Sequence, residues 1–192
     1  MAVFSRQSLI TELLDRTELI KASTQLFFRL SDEQLHYQPG PGKWCIAEIF
    51  GHLNICHDQY IRSILFCVTL APDWADDEYT SGWLGDWVYD KLMPREDGTV
   101  FRLKSRREYC VSGELPDGRT ELERFQQKCD ALDDILRHAA TKNLQRLKIP
   151  FYFPRLLRLR LGDTLRCLVA HSERHLLQAQ RIMAASYPDG SI

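Results

Sequence analysis

The chain has 192 residues, 44% of them hydrophobic, and a formal net charge of −1 at pH 7. This length is typical of one globular domain, which buries roughly 70% of the surface that its unfolded chain exposes. A charge so close to zero gives no electrostatic reason to expect nucleic acid or an anionic membrane as a partner. We therefore expect a single domain over residues 1–192.

Apolar runs and cysteine spacing predict the cellular localisation of the protein. The first residues, MAVFSRQSLITELLDR, lack the basic region followed by an apolar run that a secretory signal contains. The longest apolar run, residues 64–71 with Thr69 as its one interruption, is too short to span a bilayer, which takes about 20 residues. The six cysteines contain no C-x-x-C pair, which favours free thiols in a reducing compartment over disulfides. We expect a soluble, cytoplasmic protein.

Two long amphipathic helices are predicted in the first third of the chain. Apolar residues recur at helical spacing over residues 4–30, and again over residues 43–70. Between them, Ser31 and Gln34 match a capping box, which predicts a short helical turn. The segment YQPGPG that follows contains two prolines and two glycines and cannot continue a helix.

The stretch from Ala71 to Gly118 is the least regular part of the chain. It is rich in Gly, Pro and Asp, and it contains Trp74, Trp83 and Trp87. A connection of this length without structure of its own is uncommon in a compact domain. We expect a short helix near residues 83–92 and a flap that covers one mouth of the bundle. The tryptophans either fasten this segment to the bundle, which we favour, or line a pocket.

Two further long helices complete the predicted fold. Thr120 is a suitable N-cap for a helix over residues 120–140, whose apolar positions alternate between spacings of three and four. Residues 148–154 contain two prolines, and residues 157–161 alternate Leu and Arg, which predicts an extended arm with leucines inward and Arg158 and Arg160 outward. Asp163 or Thr164 then starts a helix over residues 163–186. The fold class is all-α, a four-helix bundle with a long irregular insertion between the second and third helices.

The last predicted helix carries two histidines, His171 and His175, four residues apart. Side chains at this spacing lie on the same face, with Cβ atoms about 5–6 Å apart. His175 falls inside the apolar stripe and His171 lies at its edge, so both rings are expected to face partly into the core. A buried imidazole without a partner costs roughly 1–3 kcal/mol. One metal ion can serve as the shared partner of both rings.

A third imidazole is expected from the second helix, because catalytic divalent sites usually take three protein ligands. That helix supplies His52, on a face shared with Glu48 and Cys56. Ligand sites in helical bundles form between facing helices, so the candidate metal ligands are His52, His171 and His175. The alternative is three core histidines hydrogen-bonded to carbonyls or carboxylates, and spacing alone does not choose between the two.

Several neighbouring residues have candidate roles. Glu48, one turn before His52, is expected to orient a ligand histidine, with a role as general base as the alternative. Glu173, beside the His171 and His175 pair, is the second candidate base, but its helical angle predicts that it is solvated. Gln178, one turn beyond His175, is expected to hydrogen-bond near the metal. No catalytic residue is assigned.

The remaining polar side chains are expected at the surface or away from the site. The helical angle predicts that His57 misses the site, and His36 and His138 are expected at the surface. A local basic cluster is more simply a solvated face than an anion site; its members are Arg155, Arg158, Arg160 and Arg166.

Two blocks of the sequence resemble the DinB-like family of four-helix metal-binding proteins. The first is KWCIAEIFGHL, from Lys43 to Leu53, and the second is TLRCLVAHSERHLLQ, from Thr164 to Gln178. The resemblance covers most of the chain except residues 71–118. It implies a three-histidine divalent site at His52, His171 and His175.

The resemblance also implies a function. Family members are similar to metal-dependent hydrolases or to transferases of low-molecular-weight thiols such as bacillithiol or mycothiol, and they often form homodimers. We expect a divalent metal (Zn, Ni or Fe), a low-molecular-weight thiol as a second cofactor, and a small-molecule substrate. The alternative function is a metal-bound binding or stress-response module without turnover.

Overall fold

The computed structural model describes residues 1–94, 99, 101, 109–111, 114–151 and 157–186. Four long helices dominate it, namely α1 (Arg6–Thr24), α3 (Ile46–Leu70), α5 (Gly118–Ala139) and α6 (Leu161–Ala185). Two shorter helices are α2 (Asp32–Leu35) and α4 (Trp83–Leu92), and a 3-10 turn spans Phe27–Arg29. Two small antiparallel sheets pair β1 (Val3–Ser5) with β2 (Glu78–Thr80) and β3 (Lys148–Phe151) with β4 (Leu157–Arg160). The all-α fold class is confirmed.

The four long helices pack in a closed ring. Helix α3 packs on α5, α5 on α1, α1 on α6 and α6 on α3, so α1 and α3 occupy diagonal corners. Three fully buried phenylalanines fill the space between them: the Phe50 ring lies edge-on to both Phe27 and Phe125, with centroids 5.3 Å apart in each pair. Edge-to-face packing of this kind adds to the free energy gained from burying the rings. The α3 and α6 faces that carry the histidines therefore meet inside a packed bundle.

The starts of two long helices differ from the predicted ones. Helix α5 begins earlier than predicted, because Asp117 rather than Thr120 is the N-cap and accepts hydrogen bonds from the amides of Arg119 and Thr120. Helix α6 begins at Leu161, so Asp163 is its third residue and not its start. The buried Asp163 carboxylate accepts hydrogen bonds from Tyr79 and Gly82, which belong to other segments. The capping box of Ser31 and Gln34 is confirmed.

The insertion contributes the short helix α4 at the predicted place. Helix α4 runs alongside α6, and Val88 and Leu92 pack against Cys167 and Ala170 in a second hydrophobic cluster. The two helices approach so closely at Gly85 that a Cβ there would lie 2.1 Å from Cγ of Asp163. The predicted flap falls partly on residues outside the described ranges, between residues 95 and 113. In the described part of the chain, no helix has both the length and the apolar content that crossing a membrane requires.

The tryptophans of the insertion behave differently from one another. Trp74 does fasten the segment down: its amide donates to the Thr141 carbonyl, and the Arg146 guanidinium stacks 4.7 Å from its ring centroid. Trp83 and Trp87 are 73% and 56% exposed, so the prediction that they fasten the segment is wrong. Their side chains extend from the outer face of α4, which leaves two indole rings available at the surface.

The predicted extended arm is the β3–β4 hairpin. Leu159 points inward as predicted, but Leu157 is 37% exposed. Arg158 is exposed as predicted, whereas Arg160 is half-buried and donates hydrogen bonds to the carbonyls of Thr80 and Ser81. Arg160 is therefore fixed in place by backbone acceptors instead of projecting freely into solvent.

Candidate metal centre

Three histidines from two helices converge inside the bundle. His52 on α3 meets His171 and His175 on α6, and one nitrogen from each ring lies within 4.8 Å of the others. The ring centroids are 4.6 to 5.2 Å apart, and each pair of rings meets edge to face. Spacing along α6 and the packing of α3 on α6 thus bring together the residues that the sequence singles out.

The outer nitrogen of His52 is held by a backbone carbonyl. Its Nδ1 lies 2.7 Å from the carbonyl oxygen of Tyr109. Because a carbonyl can only accept, Nδ1 carries the proton and Nε2 presents a lone pair. That Nε2 faces Nε2 of His171 at 3.3 Å.

His175 is held in the same way by a side-chain amide. Its Nδ1 lies 3.1 Å from Oε1 of Gln178, the residue expected near the metal. Since an amide oxygen accepts, Nδ1 again donates and Nε2 is left as the lone pair. A hydrogen-bond partner on the outer nitrogen of a metal-ligating imidazole fixes its tautomer and its orientation.

The donor set fits one divalent cation. Two nitrogens bound to one tetrahedral Zn²⁺ at about 2.0–2.1 Å lie about 3.3 Å apart, and the Nε2 atoms of His52 and His171 have this separation. Burial lowers the pKa of all three rings, that of His175 to about 3. At neutral pH each ring is therefore in the uncharged form that binds metal.

Trp44 forms a wall of the site. Its ring centroid lies 4.9 Å from that of His52 and 6.1 Å from that of His175, nearly parallel to the latter at 29°. Sequence reasoning placed Trp44 at the head of the second helix but gave it no role in the site. Its indole packs against both rings.

Comparison with known proteins identifies the family. The family model described as the DinB superfamily matches residues 15–179. The chain belongs to the DinB superfamily. The matched range includes all three histidines, and the fold is the helical bundle expected for such proteins. No curated protein and no solved structure matches the chain.

The two carboxylates with candidate roles at the three-histidine centre have other partners. Glu48 accepts a hydrogen bond from the Cys45 amide at 2.9 Å, so it caps α3, and its described contacts do not include a histidine. Glu173, expected to be solvated, instead pairs with Arg16 of α1 through two hydrogen bonds of 2.6 and 2.8 Å. Both side chains stabilise the bundle around the site.

Cys56 lies beside the centre but not among its donors. Its Sγ is 3.8 Å from Nε2 and 3.9 Å from Nδ1 of His52. Burial raises the pKa of this thiol to about 12, which keeps it protonated at neutral pH. Its sulfur is not part of the three-histidine donor group, although a bound metal would lower the pKa of a coordinating thiol.

The other histidines stay outside the donor set. His57 misses it, as its helical angle predicts, and its Nε2 lies 2.9 Å from the Ser172 hydroxyl deep in the core. His36 is not a free surface residue, since its ring bridges the carbonyls of Asp32 and Pro116. His138 is exposed near the end of α5, as expected.

A buried cation beside the DinB centre was missed by sequence reasoning. Arg174, one turn from His171, is 9% exposed and donates hydrogen bonds to the carbonyls of Lys91 and Phe101. In the described part of the chain no carboxylate pairs with it. Burial lowers its pKa, and its charge helps to lower the pKa values of His171 and His175. The centre therefore carries positive potential that its neutral ligands do not provide.

Proposed function

We propose that His52, His171 and His175 bind one divalent metal ion, and that the protein is a metal-dependent enzyme acting on a small molecule. The observation that carries this proposal is the 3.3 Å approach of two imidazole Nε2 atoms. On His52 and His175 the opposite nitrogen is bonded to an acceptor. Three rings packed this closely, two of them buried, gain most from a shared cation.

The charge balance of the centre favours an anionic ligand. Three neutral imidazoles leave the charge of a divalent ion uncompensated, and Arg174 adds a further positive charge nearby. A metal held by three nitrogen ligands keeps a position open, where it can lower the pKa of water towards about 7 or bind a thiol as its thiolate. The residues of this chain orient the donors, pack Trp44 against two of the rings, and supply positive charge through Arg174.

Of the two reactions, transfer of a low-molecular-weight thiol is the better supported. Hydrolysis needs a general base within hydrogen-bond reach of the attacking water. The two candidate bases, Glu48 and Glu173, are bonded to an amide and to Arg16. A thiol bound as its thiolate is already a nucleophile and makes less demand on such a base. The proposed cofactors are a divalent metal ion and a small thiol.

The alternative function is a metal-bound binding module without turnover. The hydrogen bonds of Glu48 and Glu173 also favour this alternative, because they leave no described carboxylate at the centre free to act as a base. Binding without catalysis would still use the open position and the positive charge of Arg174.

Metal content tests the ligand assignment. Elemental analysis is expected to find one metal ion per chain in the wild type and almost none in His175→Ala. His138→Ala is the matched control, because His138 is exposed on α5 and its ring contacts the Asp134 carbonyl of the same helix. Equal metal in all three proteins would exclude the proposed site.

A cobalt-substituted protein separates the thiol enzyme from the other candidates. Titration with a small thiol is expected to produce a sulfur-to-cobalt charge-transfer band in the wild type and none in His175→Ala. Group transfer from that thiol to an electrophilic small molecule is then measured directly. A protein that binds cobalt but shows neither the band nor turnover would support the binding module.

Homodimer formation stays a prediction. The chain has a mass of 22.4 kDa, so light scattering would report twice this mass for a homodimer. A mass equal to that of one chain would contradict the prediction without affecting the metal site.

A further inference from the structure

A cavity lies at the amino end of α6, away from the histidines. It has a volume of about 180 Å³ and lies between the first turn of α4, residues 82–85, and the β3–β4 hairpin. The hairpin contributes Lys148, Arg158 and Arg160 to its lining, and α6 contributes Asp163. Asp163 precedes His171 by eight residues, which is about 12 Å along a helix. The cavity and the metal centre therefore occupy separate positions on α6.

The strand register places all three hairpin cations on one face. Lys148 lies directly opposite Arg160, and Arg158 is two residues before Arg160 on the same strand. Residues two apart on a strand share a face, and like charges directly opposite each other are destabilising. The opposite face carries Ile149 and Leu159, both buried in the bundle. The hairpin thus keeps a repulsive arrangement on the face that lines the cavity.

The nearby acidic group does not neutralise this charge. Lys148 and Arg158 have no acidic partner among the described residues. The Asp163 carboxylate is 1% exposed and is already bonded to the Tyr79 hydroxyl at 2.5 Å and to the Gly82 amide at 3.0 Å. It also lies 3.8 Å from Arg166, which shares its charge. Two exposed cations and one fixed guanidinium remain available to a ligand.

Arg160 is positioned in advance for this role. Its Nη1 donates to the carbonyls of Thr80 and Ser81, which holds the guanidinium plane without neutralising it. A carbonyl partner leaves the positive charge and the other N–H groups free for an anion. Little side-chain entropy is then lost when a ligand binds.

The remaining wall is apolar, with Leu84 and Leu159 beside Trp83. Trp83 lines the cavity and its side chain is 73% exposed. An indole beside three cations offers a flat apolar surface next to an anion-attracting one. The cavity volume suits one phosphoryl group, and arginine forks match phosphate oxygens in geometry.

We propose that this cavity binds the phosphoryl group of a small phosphorylated molecule, with the organic part of that molecule against Trp83. Lys148, Arg158 and Arg160 contact the phosphoryl oxygens. The site is independent of the metal centre, so it does not rest on the proposed enzyme function.

Calorimetric titration with simple probes tests the proposal. Phenyl phosphate carries both features, inorganic phosphate lacks the ring, and phenol lacks the charge. We expect saturable binding of phenyl phosphate, weaker binding of inorganic phosphate, and none of phenol. The absence of saturable binding of phenyl phosphate would overturn the proposal, and so would binding of phenol alone.

Matched variants locate the binding. Lys148→Ala and Arg158→Ala are each expected to weaken phenyl phosphate binding by about tenfold or more, whereas Arg29→Ala removes an exposed arginine outside the cavity and should have no effect. Trp83→Ala should weaken phenyl phosphate but not inorganic phosphate, and Trp87→Ala, one turn along the same helix, should change neither. Circular dichroism confirms that each variant is folded. Equal affinity in Arg158→Ala and Arg29→Ala would overturn the assignment.

Two further probes distinguish the source of the phosphate. A single-stranded oligonucleotide and vesicles containing phosphatidic acid present the same chemistry on a polymer and on a membrane. Tighter binding of either one than of phenyl phosphate, lost in Arg158→Ala, would overturn the small-molecule proposal in favour of that partner.

Discussion

Two polar centres lie along helix α6 and differ in charge and burial. At its middle, His171 and His175 meet His52 in a buried group of neutral rings. At its amino end, Lys148, Arg158 and Arg160 surround an open cavity with permanent charge. The first group offers nitrogen lone pairs that a metal cation would bind, and the second has charge that an anion would balance. One helix thus holds sites of opposite ligand preference.

The difference lies in how each centre is fixed. The outer nitrogens of His52 and His175 are bonded to Tyr109 and Gln178, so burial and hydrogen bonding set both protonation and direction. The cavity depends instead on strand register, which places cations side by side, and on carbonyl contacts that hold Arg160. Buried neutral donors need precise support, whereas exposed cations need only to be brought together.

Metal removal should separate the two centres most strongly. A ligand at about 1,000 times its dissociation constant stabilises the folded state by about 4 kcal/mol, so a chelator should lower the melting temperature of the wild type by several degrees. His52→Ala should melt at a temperature that the chelator does not change. Phenyl phosphate affinity should be the same with and without chelator. An unchanged wild-type melting temperature would contradict the metal assignment, and a changed affinity would show that the centres are coupled.

Acidification should lower the stability of the folded protein through buried His57. His57 is fully buried against Ser172, and burial lowers its pKa to about 4. Between pH 6.5 and 4 the unfolded chain therefore takes up a proton that the folded protein does not, and stability falls as pH falls, by up to about 3 kcal/mol. Urea unfolding of metal-free protein should show a shallower pH dependence in His57→Gln than in the wild type. Parallel curves would show that His57 does not contribute this effect.

The histidine centre was accessible from the sequence because it follows a helical spacing. His171 and His175 are four apart, and bundle packing places α3 against α6. The partner of His52 was not accessible, since a backbone carbonyl such as that of Tyr109 has no signature in the sequence. The contact of Glu48 with the Cys45 amide was not accessible for a related reason, because a carboxylate in the first turn of a helix is drawn to free amides.

The cavity was not predicted because its features are non-local. The Leu and Arg alternation predicts a strand, but the register of that strand depends on β3, which puts Lys148 opposite Arg160. Asp163 reads as a helix start in the sequence, yet the Tyr79 hydroxyl, 84 residues away, takes its carboxylate. Contacts between distant segments outweigh local capping preferences here.

Loss of the Tyr79 hydroxyl should affect only the cavity end of α6. Tyr79→Phe keeps the ring that packs on Gly162 but removes a hydrogen bond to buried Asp163. Leaving a buried charged acceptor short of one donor costs about 1–3 kcal/mol. Urea unfolding measures this cost, with exposed Tyr37→Phe as the control. Metal content should stay at the wild-type value; a variant that loses metal would show that the two centres share one support.

The smallest expected effect concerns the ion pair of Glu173 and Arg16 beside the histidines. Glu173 on α6 bonds to Arg16 of α1, which also contacts the Tyr89 hydroxyl of α4 at 3.1 Å. Glu173→Gln should lower stability by about 1 kcal/mol, since the pair is partly shielded from water, and should leave metal content and turnover unchanged. Glu12→Gln is the matched control, because Glu12 bonds to the same arginine but its side chain is 55% exposed, and its effect should be smaller. Loss of turnover in Glu173→Gln with unchanged stability would instead make Glu173 the general base, and hydrolysis would then replace thiol transfer as the better-supported reaction.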